Sequence, residues 1–371
     1  MKFNILRDVL LQPLQTVLGV VERRQTLPIL ANVLITVKGT QLSVTATDME
    51  VELVAKATLD QAAEGETTVP AKKLADICRA LPADAEIQFV QEENRVVIRA
   101  GRSRFTLATI DSADFPNTEA ITDGAKVEIG QGELKQLIEL TGFAMAQQDV
   151  RYYLNGLLLE IETAGLRAVA TDGHRLAMAV TEAKVEGAPE ENRQVIVPRK
   201  AVMELQRLLH DEEGAQAKLT IGRNAVQVEL ASAKLTSKLI DGSFPDYTRV
   251  IPDLERCDKK LSAGRIALRE SLARVSILSN EKYRAVRLLC EEGTLRVQTN
   301  NPDQEEAEDE IEVTYSGESL EIGFNVSYLL DALAALPTEE VEIHLTDSAS
   351  SCLMLPAGAR DCQYVVMPMR L

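Results

Sequence analysis

Residues 157–175 read LLLEIETAGLRAVATDGHR, an alternating apolar run that turns at Gly165, alternates again and stops at Thr171-Asp172. Period-two alternation around a glycine marks an antiparallel hairpin with one buried face. The passage recurs upstream as VLITVKGTQLSVTATDME, from Val33 to Glu50, turning at Gly39. It recurs downstream as VRLLCEEGTLRVQTNNPD, from Val286 to Asp303, turning at Gly293. The stops Asp48, Asp172 and Asn300 are almost evenly spaced. Three copies of one unit in 371 residues point to a part arranged around an axis.

Other markers keep the same interval. VPAKKLADICRALP begins at Val69, VPRKAVMELQRLLH at Val197 and FNVSYLLDALAALP at Phe324. Offsets of three and four put Leu74, Ile77 and Leu81 on one helix face, and likewise Val202, Leu205, Leu209 and Leu329, Ala332, Leu336. Pro70 and Pro198 suit a helix start, and Pro82 and Pro337 its end. A strand running into an aromatic-proline stop appears as RFTLATIDSADFPN from Arg104 and as KLTSKLIDGSFPDY from Lys234. The third unit ends differently, as QYVVMPMRL. A longer amphipathic helix opens each unit. Its apolar face is Leu10, Leu14, Val17 and Val21 in the first, Leu134, Leu137, Ile138 and Ala144 in the second, and Leu268, Leu272, Val275 and Leu278 in the third. The six helices are expected at 6–24, 70–82, 132–151, 197–210, 266–284 and 324–337.

The chain is 45% hydrophobic and 26% charged with no Trp, the composition of an ordinary globular protein. Its length allows three domains, each able to bury its own core. We set them at 1–125, 126–255 and 256–371, an α+β fold of antiparallel sheets plus two helices per unit. No apolar run approaches the roughly 18 residues of a membrane helix, and MKFNILRDVLLQ lacks a signal-peptide pattern. The five cysteines, at 78, 257, 290, 352 and 362, show no paired or metal-ligand spacing. They read as reduced, mostly structural thiols of a cytoplasmic protein.

A formal charge of −17 argues at first against a nucleic-acid partner. Its distribution argues the other way. The six predicted helices are net basic, and strands and loops carry the acid. Lys72-Lys73 and Arg199-Lys200 repeat the bias at one offset.

Several stretches resemble the bacterial DNA sliding clamps, the beta-subunit family of DNA polymerase III: TLPILANVL (26–34), QQDVRYYLNG (147–156), VATDGHRLA (169–177), FPDYTRVIP (244–252), ILSNEKYRAVRL (277–288), GFNVSYLLDAL (323–333) and the terminal YVVMPMRL. The resemblance runs the whole chain in order. It implies half of a six-domain ring: two chains joined head to tail around duplex DNA, helices inward and sheets outward. A positive inner surface would attract phosphates while a negative exterior repels DNA. The implied DNA-facing residues are Arg24, Lys72, Lys73, Gln148, Tyr152, Tyr153, Arg199 and Asn325. Where the other units carry a basic pair, the third has Val326 and Ser327, so its contact should be weaker.

The resemblance also implies a cleft that takes short apolar peptides from replicative and translesion polymerases, the clamp loader and repair proteins. Matching residues are Arg151, Leu154, Thr171, Gly173, His174, Arg175 and Leu176; Pro245, Arg249 and Val250; and Ser351, Val365, Val366, Met367, Pro368, Met369 and Arg370. Leu, Val and Met build an adaptable trough. Arg151, Arg175, Arg249 and Arg370 are expected on its rim. Ala349 stands where relatives often carry a larger aliphatic residue. The implied dimer seam sets Phe105 and Leu107 against Ile277 and Leu278, although by sequence alone these four are indistinguishable from core.

Asp172-Gly173-His174 places an acid two residues from a base, but Gly173 breaks the strand between them. No nucleophile elbow, phosphate loop or metal-ligand cluster accompanies His174, His210 or His344. The reading is a non-catalytic protein with no cofactor and no metal, loaded by a separate ATP-driven machine. The competing reading is an acidic scaffold that binds peptides without encircling DNA.

Overall fold

The computed structural model describes residues 1–21, 27–118, 121, 123–186 and 193–370. The threefold repeat governs its element order: one strand, a helix, five strands, a second helix and three strands, three times over. The helices are α1 (Arg7–Val17), α2 (Ala71–Ala80), α3 (Gln131–Thr141), α4 (Arg199–Leu208), α5 (Arg265–Val275) and α6 (Val326–Ala335).

The three opening helices are shorter than the apolar periodicity predicts, and two of them end beside a hydroxyl that bonds back to a carbonyl of the last turn, a contact that weakens and bends a helix. Thr141 Oγ1 donates to the Leu137 carbonyl at 2.7 Å, and Gly142 begins a 3₁₀ turn. Ser276 Oγ donates to the Ala273 carbonyl at 2.8 Å, and a 3₁₀ turn spans Ser276–Leu278. After α1 the chain enters a turn at Leu18–Val20. The predicted apolar faces are otherwise placed as expected: Leu10, Leu14, Val17, Leu134, Leu137, Ile138, Leu268, Leu272 and Val275 are all buried.

One contact is repeated in every unit. The backbone N–H at the start of each opening helix donates to a carbonyl beyond the end of the second: Arg7 to Ala85, Gln131 to Ala215, Arg265 to Glu339. In the first and third units an arginine side chain reinforces it. Arg7 Nε donates to the Cys78 carbonyl at 2.7 Å, and Arg265 Nη1 to the Leu333 carbonyl at 3.2 Å. A cation there satisfies open carbonyls at a helix C-terminus. Arg7 and Arg265 are thereby committed to the fold. Over the shorter helices the basic excess persists on α2, α4 and α5 and is absent from α1, α3 and α6.

By packing, the chain divides into two compact units. The first is Met1–Gly132, Lys184–Pro189 and Lys200–Leu239; the second is Glu133–Ala183, Glu190–Arg199 and Ile240–Leu371. Each holds a nine-stranded antiparallel sheet that runs through two sequence repeats. In the first, Ala233–Lys238 pairs with Val51–Thr58. In the second, Arg175–Glu182 pairs with Cys362–Val366. The first unit also holds a five-stranded sheet with Ser103–Ala108 at one edge, and the second a four-stranded sheet with Glu306–Glu312 at one edge.

The three hairpins form, with one change at the turn. Gly39 and Gly293 sit in the turn with φ of 58° and 79°. Gly165 instead opens the return strand, and a Cβ there would lie 2.1 Å from the Thr181 carbonyl oxygen. Close strand approach, not the turn, requires this glycine.

Candidate functional site

The implied peptide cleft lies within the second compact unit. Its cavity, about 160 Å³, is lined by Arg151, Leu154, Thr171, Gly173, His174, Arg175, Leu176, Pro245, Asp246, Tyr247, Val250, Val365 and Met367. Eleven residues carried over from the resemblance are thus brought together, and Asp246 and Tyr247 join them from the same proline loop.

The site is built on a turn. Asp172 accepts the backbone N–H groups of His174 at 2.9 Å and Arg175 at 3.0 Å. This is the Asx geometry that Asp48 also makes with Glu50 and Val51. In the third repeat the role passes to Asn301, one residue past the predicted stop, which accepts from Asp303 and Glu305. Gly173 has φ of 87°, and a Cβ there would meet Arg151 Nη1 at 2.8 Å. The Thr-Asp-Gly-His-Arg run is therefore a structural turn, not an acid–base pair.

Arg175 is not a rim charge. Its guanidinium donates to Asp172, to Asp331 on α6 and to the Phe143 carbonyl. It also lies 4.7 Å from the Tyr328 ring centroid and 5.3 Å from that of Phe143. These contacts leave its side chain 12% exposed. The His174 ring stacks on Tyr328, centroids 6.2 Å apart. Arg151 stays exposed and is aimed by Asp149, with N···O distances of 3.0 and 2.8 Å. The hydrogen bond from Arg151 holds the Asp149 carboxyl down to about 2. Arg249 is exposed and pairs with Asp246 at 2.8 Å.

The C-terminal run is docked. Cys362–Val366 is a strand, and the Met367 N–H donates to the His174 carbonyl at 2.9 Å. Strand alternation sends Val365 to the cleft and Val366 to the opposite face. The Met369 N–H then bonds the Gly323 carbonyl and draws the tail away. Arg370 consequently lines a different hollow, with Arg287, Gln298 and Glu308. Arg249, Ser351, Pro368 and Met369 are likewise not among the cavity-lining residues, nor is Ala349, exposed in a loop where its N–H bonds Asp347.

The residues implied to face DNA have different surroundings. Lys72 and Lys73 are exposed on the first turn of α2. Gln148 is exposed, Tyr152 is 56% exposed, and Tyr153 packs against the hydrophobic cluster around Leu158 and Leu176. Arg199 Nη1 donates to the Met145 carbonyl at 3.2 Å, and burial lowers its pKa. Lys200 is engaged with Asp48 and the Val20 carbonyl. Asn325 caps α6 by accepting the Ser327 N–H at 2.9 Å. Arg24 lies outside the described residues. At the implied seam, Ile277 is 77% exposed and Phe105 and Leu278 are half-buried, whereas Leu107 is already packed inside the chain.

Among the described residues no group of His, Cys, Asp or Glu could hold a metal ion, and no helix is long and apolar enough to cross a membrane. Burial pushes the Cys78 and Cys362 thiols up to about 11 and those of Cys290 and Cys352 up to about 12. Thiols held so far from the thiolate are structural.

A three-fold repeat of paired helices and antiparallel sheets, with a small apolar cleft beside its C-terminal strand, defines a clamp-type accessory protein. Matches to known proteins agree. The N-terminal, central and C-terminal domain models of the DNA polymerase III beta subunit match residues 1–119, 128–246 and 248–370. The beta sliding clamp of Pseudomonas putida is 55% identical and that of Escherichia coli K12 50% identical, each over 100% of both chains. The crystal structure of the DNA polymerase III subunit beta from Pseudomonas aeruginosa superposes with a TM-score of 0.96 at 53% identity, covering 100% of both chains. The chain belongs to the DNA polymerase III beta subunit family. It is a non-catalytic processivity factor of DNA replication.

Proposed function

We propose that two copies of this chain close head to tail into a six-domain ring around duplex DNA in the cytoplasm, and that the ring tethers its partners through the cleft. The domains divide at 1–125, 126–255 and 256–371. Duplex DNA is held without sequence reading, by encirclement and by phosphate attraction to Arg24, Lys72, Lys73, Gln148, Tyr152, Tyr153, Arg199 and Asn325. Replicative and translesion polymerases, the clamp loader and repair proteins dock short apolar peptides between Leu154, Leu176, Val250, Val365 and Met367. Arg151 and His174 are exposed beside them.

The observation that carries ring closure is a pair of unpaired strand edges of opposite charge. Ser103–Ala108 ends one sheet with Arg104 exposed opposite Arg99 of the neighbouring strand, on which Arg95 is also exposed, opposite Ala108. Glu306–Glu312 ends another with Glu306, Glu308, Glu310 and Glu312 exposed along one side. Lone exposed edges invite pairing with another chain, and opposite charges favour this partner. Phe105, Ile277 and Leu278 supply the accessible apolar part of the seam, while Leu107 is buried within its own chain. Extension of a primed single-stranded circle by the replicative polymerase and its loader tests the tether. Product length should rise several-fold with this protein and fall back when excess partner peptide is added. No gain in length refutes the reading.

A further inference from the structure

The strand Gly156–Glu162 sets Leu158 into the core and, two residues on, where alternation calls for another apolar side chain, sets Glu160. Glu160 is 4% exposed. A buried carboxylate is costly unless its oxygens are satisfied, so its partners show what it is for. Tyr247 Oη donates to Oε2 at 2.6 Å, Gln194 Nε2 donates to Oε1, and Arg167 Nη1 lies 3.3 Å from Oε2. Arg167 Nη1 also donates to Tyr247 Oη at 3.2 Å. Burial and the Glu160 contact push the Tyr247 hydroxyl up to about 12, so it stays a neutral donor at any physiological pH.

The tethered residue is part of the cleft. Tyr247 is 6% exposed, belongs to the buried cluster with Leu158, Leu176, Leu353 and Val365, and lines the cavity. It also opens the 3₁₀ turn Tyr247–Arg249, whose cap, the Val250 N–H, donates to the Tyr247 carbonyl. This backbone bond ties Tyr247 to Val250, another lining residue. The cavity of about 160 Å³ holds roughly five waters' worth of volume, the scale of one or two aliphatic side chains. Leu176, Val365 and Tyr247 are the lining residues that also belong to the core cluster, and of the three Tyr247 is the largest and is held at its hydroxyl end by Glu160.

We propose that Tyr247, anchored from behind by Glu160, is the depth stop of the cleft and sets how large a side chain a bound peptide can insert. The inference rests on the peptide-binding reading above and names the residue that gives that site its size preference. Tyr247 acts on the peptide directly; Glu160 is a positioning residue that acts through it.

The test is calorimetry on the full-length protein with two synthetic clamp-binding peptides, one carrying Leu at its apolar anchor and the other Trp. The native protein should favour the Leu peptide. Tyr247→Leu opens the space behind the stop and should shift the affinity ratio toward Trp by about tenfold or more, the scale on which pockets discriminate by small volumes. Should that variant not fold, Tyr247→Phe and Glu160→Gln each keep the ring and weaken or remove its tether. Both should narrow the Leu preference several-fold. A ratio unchanged in every folded variant, with only melting temperature lowered, means the pair merely stabilises the loop and overturns the proposal. A native protein that binds neither peptide overturns the cleft reading and this inference with it.

Discussion

Replacing Arg175 by Ala tests the claim that this side chain builds the cleft instead of contacting its occupant. The guanidinium has three acceptors, the Asp172 carboxylate, the Asp331 carboxylate and the Phe143 carbonyl, and two aromatic faces. A hydrogen bond to a charged group contributes about 1.5–3 kcal/mol, and breaking a fully buried pair costs about 3–5 kcal/mol. The discount here is substantial. Asp331 is 47% exposed and can turn to water, and Asp172 keeps its two backbone donors. The expected loss is therefore about 2–4 kcal/mol, most of it from the stranded Phe143 carbonyl and the lost ring contacts. Urea unfolding followed by circular dichroism should show it in the transition that includes this unit. Partner-peptide affinity should fall in parallel, because the Asp172 turn carries Thr171, Gly173 and His174 into the cleft. Arg175→Lys keeps the charge but not the planar fork, and should recover less than half of either loss. Full stability with reduced affinity would refute the reasoning and return Arg175 to the rim.

Other perturbations address the remaining parts of the account. Asp149 is held down to about 2 by Arg151, below the unfolded value of about 3.9. A depressed folded pKa gives a stabilisation that is present above the unfolded value and fades as pH falls toward 2. Carbon-detected NMR should find the Asp149 midpoint near 2 and return it to the ordinary carboxylate range in Arg151→Ala; an unmoved midpoint contradicts the pairing. Ile277→Ala with Leu278→Ala should yield monomers in light scattering, since Ile277 is the most exposed apolar side chain at the implied seam; an unchanged dimer mass sinks that assignment. Lys72→Glu with Lys73→Glu should cut retention on circular DNA by about tenfold or more without altering dimer mass, as reversing phosphate-facing charges does; normal retention would remove both from the DNA-facing set.

What the sequence disclosed was local and periodic. The hairpins around Gly39 and Gly293 and the faces of α2, α4 and α6 were legible because alternation and helical spacing are short-range properties. The reach of the opening helices was not. An apolar stripe continues through Ala144 and Leu278 although Thr141 and Ser276 have already turned the backbone, and periodicity does not register a hydroxyl competing for a carbonyl. The pairing of Ala233–Lys238 with Val51–Thr58 was invisible for another reason: register between distant strands is a tertiary choice. At the site, the apolar lining was legible from the family's motifs, while the division of labour among charges was not. Arg175 and Arg249 look alike in sequence, yet one is locked beneath an aromatic pair and the other is in solvent. Glu160 did leave a signal, an acid on the core side of LLLEIE, and it points to Tyr247.

The central claim is topological: this protein stays on DNA because it surrounds it. Loading onto a nicked circular duplex, followed by gel filtration before and after a single restriction cut, tests that most directly. The account predicts a dimer that co-elutes with the closed circle in moderate salt and is released once the circle is cut and the ring can slide off the ends. Equal retention on circular and linear DNA would mean that the protein grips the duplex instead, and would contradict the account.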